Sequence, residues 1–133
     1  MKVDGGCHCG FISYEAEADP DKAGMCNCTD CQRLSGAPFR GFIPVDGATL
    51  RLTGQPTIYV KTGESGGKRE QAFCPRCGSS IYSTAPGPGP KVYNIRLGGI
   101  RQRDQIVLKS QLWVRSQQRW VENIAAIPKV EKQ

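Results

Sequence analysis

Seven cysteines in three short clusters constrain this chain more than any other feature: Cys7-x-Cys9, Cys26-x-Cys28-x-x-Cys31 and Cys74-x-x-Cys77. Counted as ligands, the clusters supply two, three and two sulfurs, so one ion could take four and another three. A zinc site of four cysteines is closed and structural, whereas three protein ligands leave a position for water or substrate. Neighbours one or two residues apart close small loops that suit sulfurs around a cation, and an odd total fits disulfides poorly. Two zinc ions per chain are therefore expected, one for folding and one for chemistry.

The rest of the composition agrees with a metal-held fold. The chain has 133 residues, a hydrophobic fraction of 38%, 16 Gly and 9 Pro, which predicts a single domain over residues 1–133 with many turns and a thin core. Such cores gain from metals or cross-links. The polar start, Met1-Lys2-Val3-Asp4-Gly5-Gly6, does not read as a signal peptide, and no run approaches the ~20 apolar residues that span a membrane. A cytoplasmic address without membrane association is expected. In that reducing compartment clustered thiols bind metal more often than they pair.

A formal charge of +6 would by itself suggest an acidic partner. Four thiolates on Zn²⁺ carry −2 and three carry −1, so two filled sites would lower the +6 to about +3. Nucleic acid is therefore not the expected partner.

Alternation along the chain predicts many short strands. Ile12, Tyr14 and Ala16 alternate with Ser13 and Glu15. Extended segments are expected over Pro38–Val45, Thr49–Thr53, Thr57–Lys61 and Ser80–Ser83, around Tyr93, Ile95 and Leu97, and at Ile106–Leu108 and Leu112–Val114. Asp19-Pro20-Asp21 and Gly63–Gly67 read as turns, the second within a hairpin. Asp30–Leu34 could form one helical turn ended by Ser35-Gly36, while Ala85–Pro90 alternates Pro and Gly and cannot sustain a ladder. The fold class is mostly β.

Cys74-Pro75-Arg76-Cys77-Gly78 has the form of a zinc knuckle, with Gly78 free to take the backbone angles such a turn requires. Cys26, Cys28 and Cys31 can face one ion from a single loop and short turn, which makes them the catalytic candidates. Spacing also allows the two Cys-x-x-Cys pairs to share one closed site. His8, between two ligands, is read as a local hydrogen-bonding or exposed residue. Arg96, Arg101 and Arg103 read as a solvated edge or turn, and Trp113 and Trp120 as core or rim packing. Arg33 and Arg40 are candidates for gripping substrate carboxylates, because guanidinium pairs with them bidentately.

Three stretches together resemble the family named for the glutathione-dependent formaldehyde-activating enzyme, whose domain is shared with centromere protein V. They are Gly6-Cys7-His8-Cys9-Gly10 with Tyr14-Glu15, then Cys26-Asn27-Cys28-Thr29-Asp30-Cys31-Gln32-Arg33 with Ser35-Gly36-Ala37-Pro38-Phe39, then Phe73-Cys74-Pro75-Arg76-Cys77-Gly78-Ser79. Leu112-Trp113-Val114 and Trp120 look like the family's closing segment. The resemblance implies a β-tent fold of short antiparallel strands. It also implies a structural zinc on Cys7, Cys9, Cys74 and Cys77, and a catalytic zinc on Cys26, Cys28 and Cys31. The implied activity is that of a carbon–sulfur lyase joining glutathione, or a similar thiol, to formaldehyde or another small electrophile. The chain departs from the family pattern at Gln111, where histidine is common, and at Arg101, where an acidic residue is common. These departures bear on the substrate more than on the metals.

Three thiolates would make their zinc a weak Lewis acid, which favours binding an incoming thiol over generating hydroxide. A three-cysteine site is also expected to lose its ion, or to oxidise, more readily. The alternative to an enzyme is a zinc module that binds a protein or nucleic acid partner, since thiols and formaldehyde combine unaided.

Overall fold

Alternation builds the first sheet. In β2 (Ser13–Glu17) Tyr14 and Ala16 are buried while Ser13, Glu15 and Glu17 are exposed, the pattern of a strand with one wet face. It pairs antiparallel with β1 (Lys2–Gly6) on one side and with β5 (Arg51–Thr53) on the other. These relations come from a computed structural model that describes residues 1–133.

A second sheet of seven strands has the order β10-β3-β4-β9-β8-β7-β6. Its members are β3 (Gly24–Cys26), β4 (Arg40–Asp46), β6 (Thr57–Thr62), β7 (Lys68–Phe73), β8 (Ser80–Thr84), β9 (Val92–Arg96) and β10 (Ser110–Leu112). All its pairings are antiparallel except that of β10 with β3. The one α-helix, α1 (Thr29–Ser35), follows β3 directly and stops at Gly36, whose φ of 65° supplies the left-handed cap. The protein is mostly β, and no helix is long and apolar enough to cross a membrane.

The two sheets bury one core between them. Val3, Ile12, Tyr14 and Ala16 from the β1–β2 side meet Ile43, Val45, Ala72, Ile81 and Ile95 from the larger sheet. Single bridges, Gly5 with Ile100 and Ala18 with Val45, stitch the layers at their margins. Gly5 is required there, because a Cβ would overlap the Gly99 carbonyl oxygen.

Three expectations need correction. Ile106–Leu108 forms no strand: it follows a 3-10 turn at Arg103–Gln105, and the next backbone bond to the sheet is that from the Lys109 N–H to the Ala23 oxygen, 2.8 Å. The last run is extended only through Leu112, because Trp113 adopts φ 55° and turns the chain into a 3-10 segment. Leu97 likewise leaves β9 and opens a turn. The strand at Thr57–Thr62 is present, but it is the sheet's outer edge, so Ile58, Tyr59 and Val60 lie exposed.

Candidate metal centre and the cavity beside it

Two hairpin corners bring the first and last cysteine clusters together. Cys7 follows β1, and its chain returns through a tight turn in which Ile12 N–H donates to Cys7 Sγ at 3.2 Å. Cys74 follows β7 in a matching turn, where Gly78 N–H donates to the Cys74 oxygen at 2.8 Å and Arg76 N–H to Cys74 Sγ at 3.4 Å. Gly78 has φ 76°, as the knuckle demands. Ser79 Oγ accepts the His8 backbone N–H at 3.0 Å, which locks one corner to the other.

The four sulfurs, from Cys7, Cys9, Cys74 and Cys77, all lie within 4.8 Å of one another. Cys9 Sγ is 3.6 Å from Cys7 Sγ and 3.7 Å from Cys74 Sγ. A tetrahedron with Zn–S bonds of about 2.3 Å has edges of about 3.8 Å, so the spacing fits zinc. Because β1 belongs to the small sheet and β7 to the large one, this group clips the two layers together. Hydrogen bonds with Ser79, first through its hydroxyl, hold the Cys77 thiol down at about 5, while, against a backbone bond from Phe11, burial and Cys7 push Cys9 up to about 11.

The second group is local. Cys26 ends β3, Cys28 caps α1, and Cys31 sits one turn into the helix; their three sulfurs also lie within 4.8 Å of one another. Cys28 Sγ accepts the Cys31 N–H at 3.3 Å, so the cap itself turns the sulfurs inward. The two Cys-x-x-Cys pairs thus fall in different groups. Between the ligands, fully buried Asn27 donates from Nδ2 to the Leu112 oxygen at 2.9 Å, tying the loop to β10. Gln32 Nε2 donates to the Asn27 oxygen at 2.7 Å and to the Ser116 oxygen at 3.0 Å.

Behind Cys31 stands a buried cationic pair. Arg40 donates to Cys31 Sγ at 3.4 Å and to Gln71 Oε1 at 3.0 Å, and Arg96 donates to the same Gln71 oxygen at 3.1 Å. Neither guanidinium touches a carboxylate, and both Nε atoms lack partners. Burial, then Arg40, lowers Arg96 to about 9. A hydrogen bond from Cys26 and, against burial, the charge of Arg40 hold the Cys31 thiol down at about 5; Cys26 is pushed up by that shared bond and by burial. A buried charge needs a counter-charge, and Cys31, in hydrogen-bond reach of Arg40 and held down partly by it, can supply one.

The remaining candidates divide between this group and the surface. Arg40 is only 6% exposed and engaged with Cys31 and Gln71, since β4 begins beneath α1 and aims it inward. Arg33 is exposed on α1 and borders a shallow hollow with Trp120. Arg96 is not a solvated edge residue, whereas Arg101 is exposed and pairs with Asp4 at 2.9 Å. His8 is exposed. Trp113 and Trp120 are about half exposed rather than in the core, because both stand on short turns after the last strand. Gln111 is exposed on β10 and faces an apolar hollow with Met25 and Phe39.

Sequence reasoning missed Gln71 and the burial of Arg96, whose only signal is a polar residue beside inward apolar ones on a strand. It also missed a cavity of about 500 Å³ that Cys28 borders, walled by Trp113, Ser116 and the turn between β6 and β7. That volume lies within the usual range for small-molecule sites.

Comparison with known proteins follows the same lines. The family model described as "Glutathione-dependent formaldehyde-activating enzyme" matches residues 2–116, which include all seven cysteines. Among solved structures, the crystal structure of a protein from Rhodobacter sphaeroides superposes with a TM-score of 0.55 at 23% identity, covering 79% of this chain and 96% of that one. At that identity the likeness speaks for the fold.

Proposed function

This chain belongs to the glutathione-dependent formaldehyde-activating enzyme family, and from that premise we propose that it joins a thiol to formaldehyde or a similar small aldehyde. The reading makes it a zinc-dependent carbon–sulfur lyase with glutathione, or a close analogue, as the thiol. Cys7, Cys9, Cys74 and Cys77 hold a structural zinc, and Cys26, Cys28 and Cys31 a catalytic one. The observation that carries the reading is the three-sulfur group at the edge of a ligand-sized cavity, with Arg40 behind Cys31.

When bound, zinc on three thiolates would supply a low effective pKa to an incoming thiol at neutral pH. The chain's own residues do the rest. Arg40 offsets the negative charge gathered on the sulfurs, and Gln71 fixes the guanidinium that does so. Asn27 and Gln32 pin the ligand loop to β10 and its following turn, so the sulfurs keep their spacing without help from substrate. In the reaction a sulfur–carbon bond forms while the carbonyl π pair moves to oxygen, which takes up the proton that the thiol released.

The test is the rate of S-hydroxymethylglutathione formation, followed by NMR exchange against the uncatalysed background. Wild-type protein with two zinc ions should exceed that background. A Cys28→Ser variant with one zinc ion should not; equal rates for the two proteins would sink the catalytic reading.

A further inference from the structure

The hairpin that walls the cavity gathers cations at one end, and its own carboxylates, Glu64 at the turn and Glu70 on β7, form no ion pair with them. Lys61 lies directly across from Arg69, and Thr62 across from Lys68, so three cations gather at one end of the β6–β7 pair. Like charges facing one another across strands are unfavourable. Lys61 is neutralised by Asp30 of α1, at 2.9 Å, which also fastens the hairpin to the helix bearing Cys31. Lys68 and Arg69 have no carboxylate partner; Lys68 Nζ donates only to the uncharged Thr62 Oγ1, at 3.1 Å. Both border the cavity that Cys28 borders.

Trp113 forms part of the facing wall at a conformational cost. Its φ of 55° is the one positive value among the non-glycine residues, and a bulky side chain in that region is an outlier of the kind that clusters at ligand clamps. The turn it makes ends β10 and leaves the indole half exposed at the cavity.

We propose that this cavity seats an acidic thiol, its sulfur toward Cys28, its carboxylate end held by Lys68 and Arg69, and its middle lying along the indole of Trp113. The inference rests on the thiol chemistry proposed above and adds the residues that select the thiol. Neutral thiols of equal size lack the charge that these two cations seek, so Lys68 and Arg69 determine specificity while the cysteines do not. Both are outside the sulfur group, on a hairpin whose tip is exposed.

The probe is S-methylglutathione, which keeps both carboxylates but offers no free thiol, titrated into the zinc-loaded full chain by calorimetry. The Lys68→Gln, Arg69→Gln double variant should bind it at least about tenfold more weakly, with a flatter dependence on salt. On the wild-type protein, the diethyl ester of the probe should be weakened by a similar factor, a measurement that needs no variant to fold. Trp113→Asn, whose side chain tolerates a left-handed backbone, should weaken binding several-fold without lowering the thermal midpoint. Absence of probe binding by the wild type, or undiminished binding by the double variant or of the ester, overturns the seat. The two readings fail separately: a reaction rate that needs Cys28 alongside probe binding indifferent to Lys68 and Arg69 defeats the seat alone. Binding that needs those cations, with a rate indifferent to Cys28, upholds the seat and defeats the catalytic reading.

Discussion

The two sulfur groups are made in opposite ways. Cys9 and Cys74 are 65 residues apart in sequence and meet at 3.7 Å because two sheets pack, whereas Cys26, Cys28 and Cys31 come from one strand end and one helical turn. An ion in the first group closes a long loop and restrains the unfolded chain; an ion in the second closes almost nothing. The first is knit to its surroundings by backbone bonds at both corners. The second borders a cavity and is backed by buried guanidinium groups. On the proposed reading, loop length and the neighbouring cavity divide a folding metal from a working one more plainly than ligand identity does, since every candidate ligand is cysteine.

The sharpest way to break this contrast is to remove one ligand from each group. Cys74→Ser should cost at least about 3 kcal/mol and abolish a cooperative thermal transition, because structural zinc carries a large share of folding energy in small domains. Cys28→Ser should keep the transition within a few degrees of wild type while the zinc content falls from two to one. Equal loss of stability in the two variants would erase the distinction.

Next in size is the cation behind Cys31. Arg40→Met removes a charge within hydrogen-bond reach of one sulfur, and at an effective dielectric near 20 such a contact is worth up to a few kcal/mol before screening. The variant should surrender its second zinc at about one-tenth of the chelator concentration that wild type needs. The four-cysteine ion should be retained as before. Arg40→Lys should fall between the two.

A smaller effect separates knuckle geometry from ligand loss. At Gly78, with φ 76°, nothing lies within 4 Å of an added Cβ, so Gly78→Ala introduces strain and no clash. A loss of about 1 kcal/mol in denaturant unfolding, with zinc content unchanged, is expected. The smallest effect lies far from both groups. A hydrogen bond from Lys22 holds the half-buried Asp19 carboxyl below its usual range. Because its folded pKa is the lower one, the ion pair stabilises fully above the ordinary carboxylate range and fades as pH falls through the depressed value. The small stability difference between wild type and Asp19→Asn should therefore be present at neutral pH and vanish in acid, at any zinc loading.

Much of this was legible in one dimension, and what was not shares a cause. Alternation located β2 and, short of Leu97, β9; Gly63–Gly67 located the hairpin turn, and Ser35-Gly36 located the end of α1. Ile106–Leu108 misled because an apolar run says nothing of whether a partner strand is within reach. Arg96 misled because charge in a sequence is read as exposure, and only a fold can set a second guanidinium, a glutamine and two thiols around it. Trp113 misled because its backbone angle belongs to the corner it turns.

By itself the sequence determined the candidate ligands: cysteines spaced for small loops, a local trio that one helical turn can gather, and a pattern of short strands. These are properties of neighbours, governed by backbone geometry over a few residues. Tertiary structure alone decided which pairs meet across the sheets, which arginines lose water and seek a sulfur, and which cations a hairpin leaves unpaired beside Cys28. Those outcomes depend on burial and on long-range contact, which arise when the layers pack.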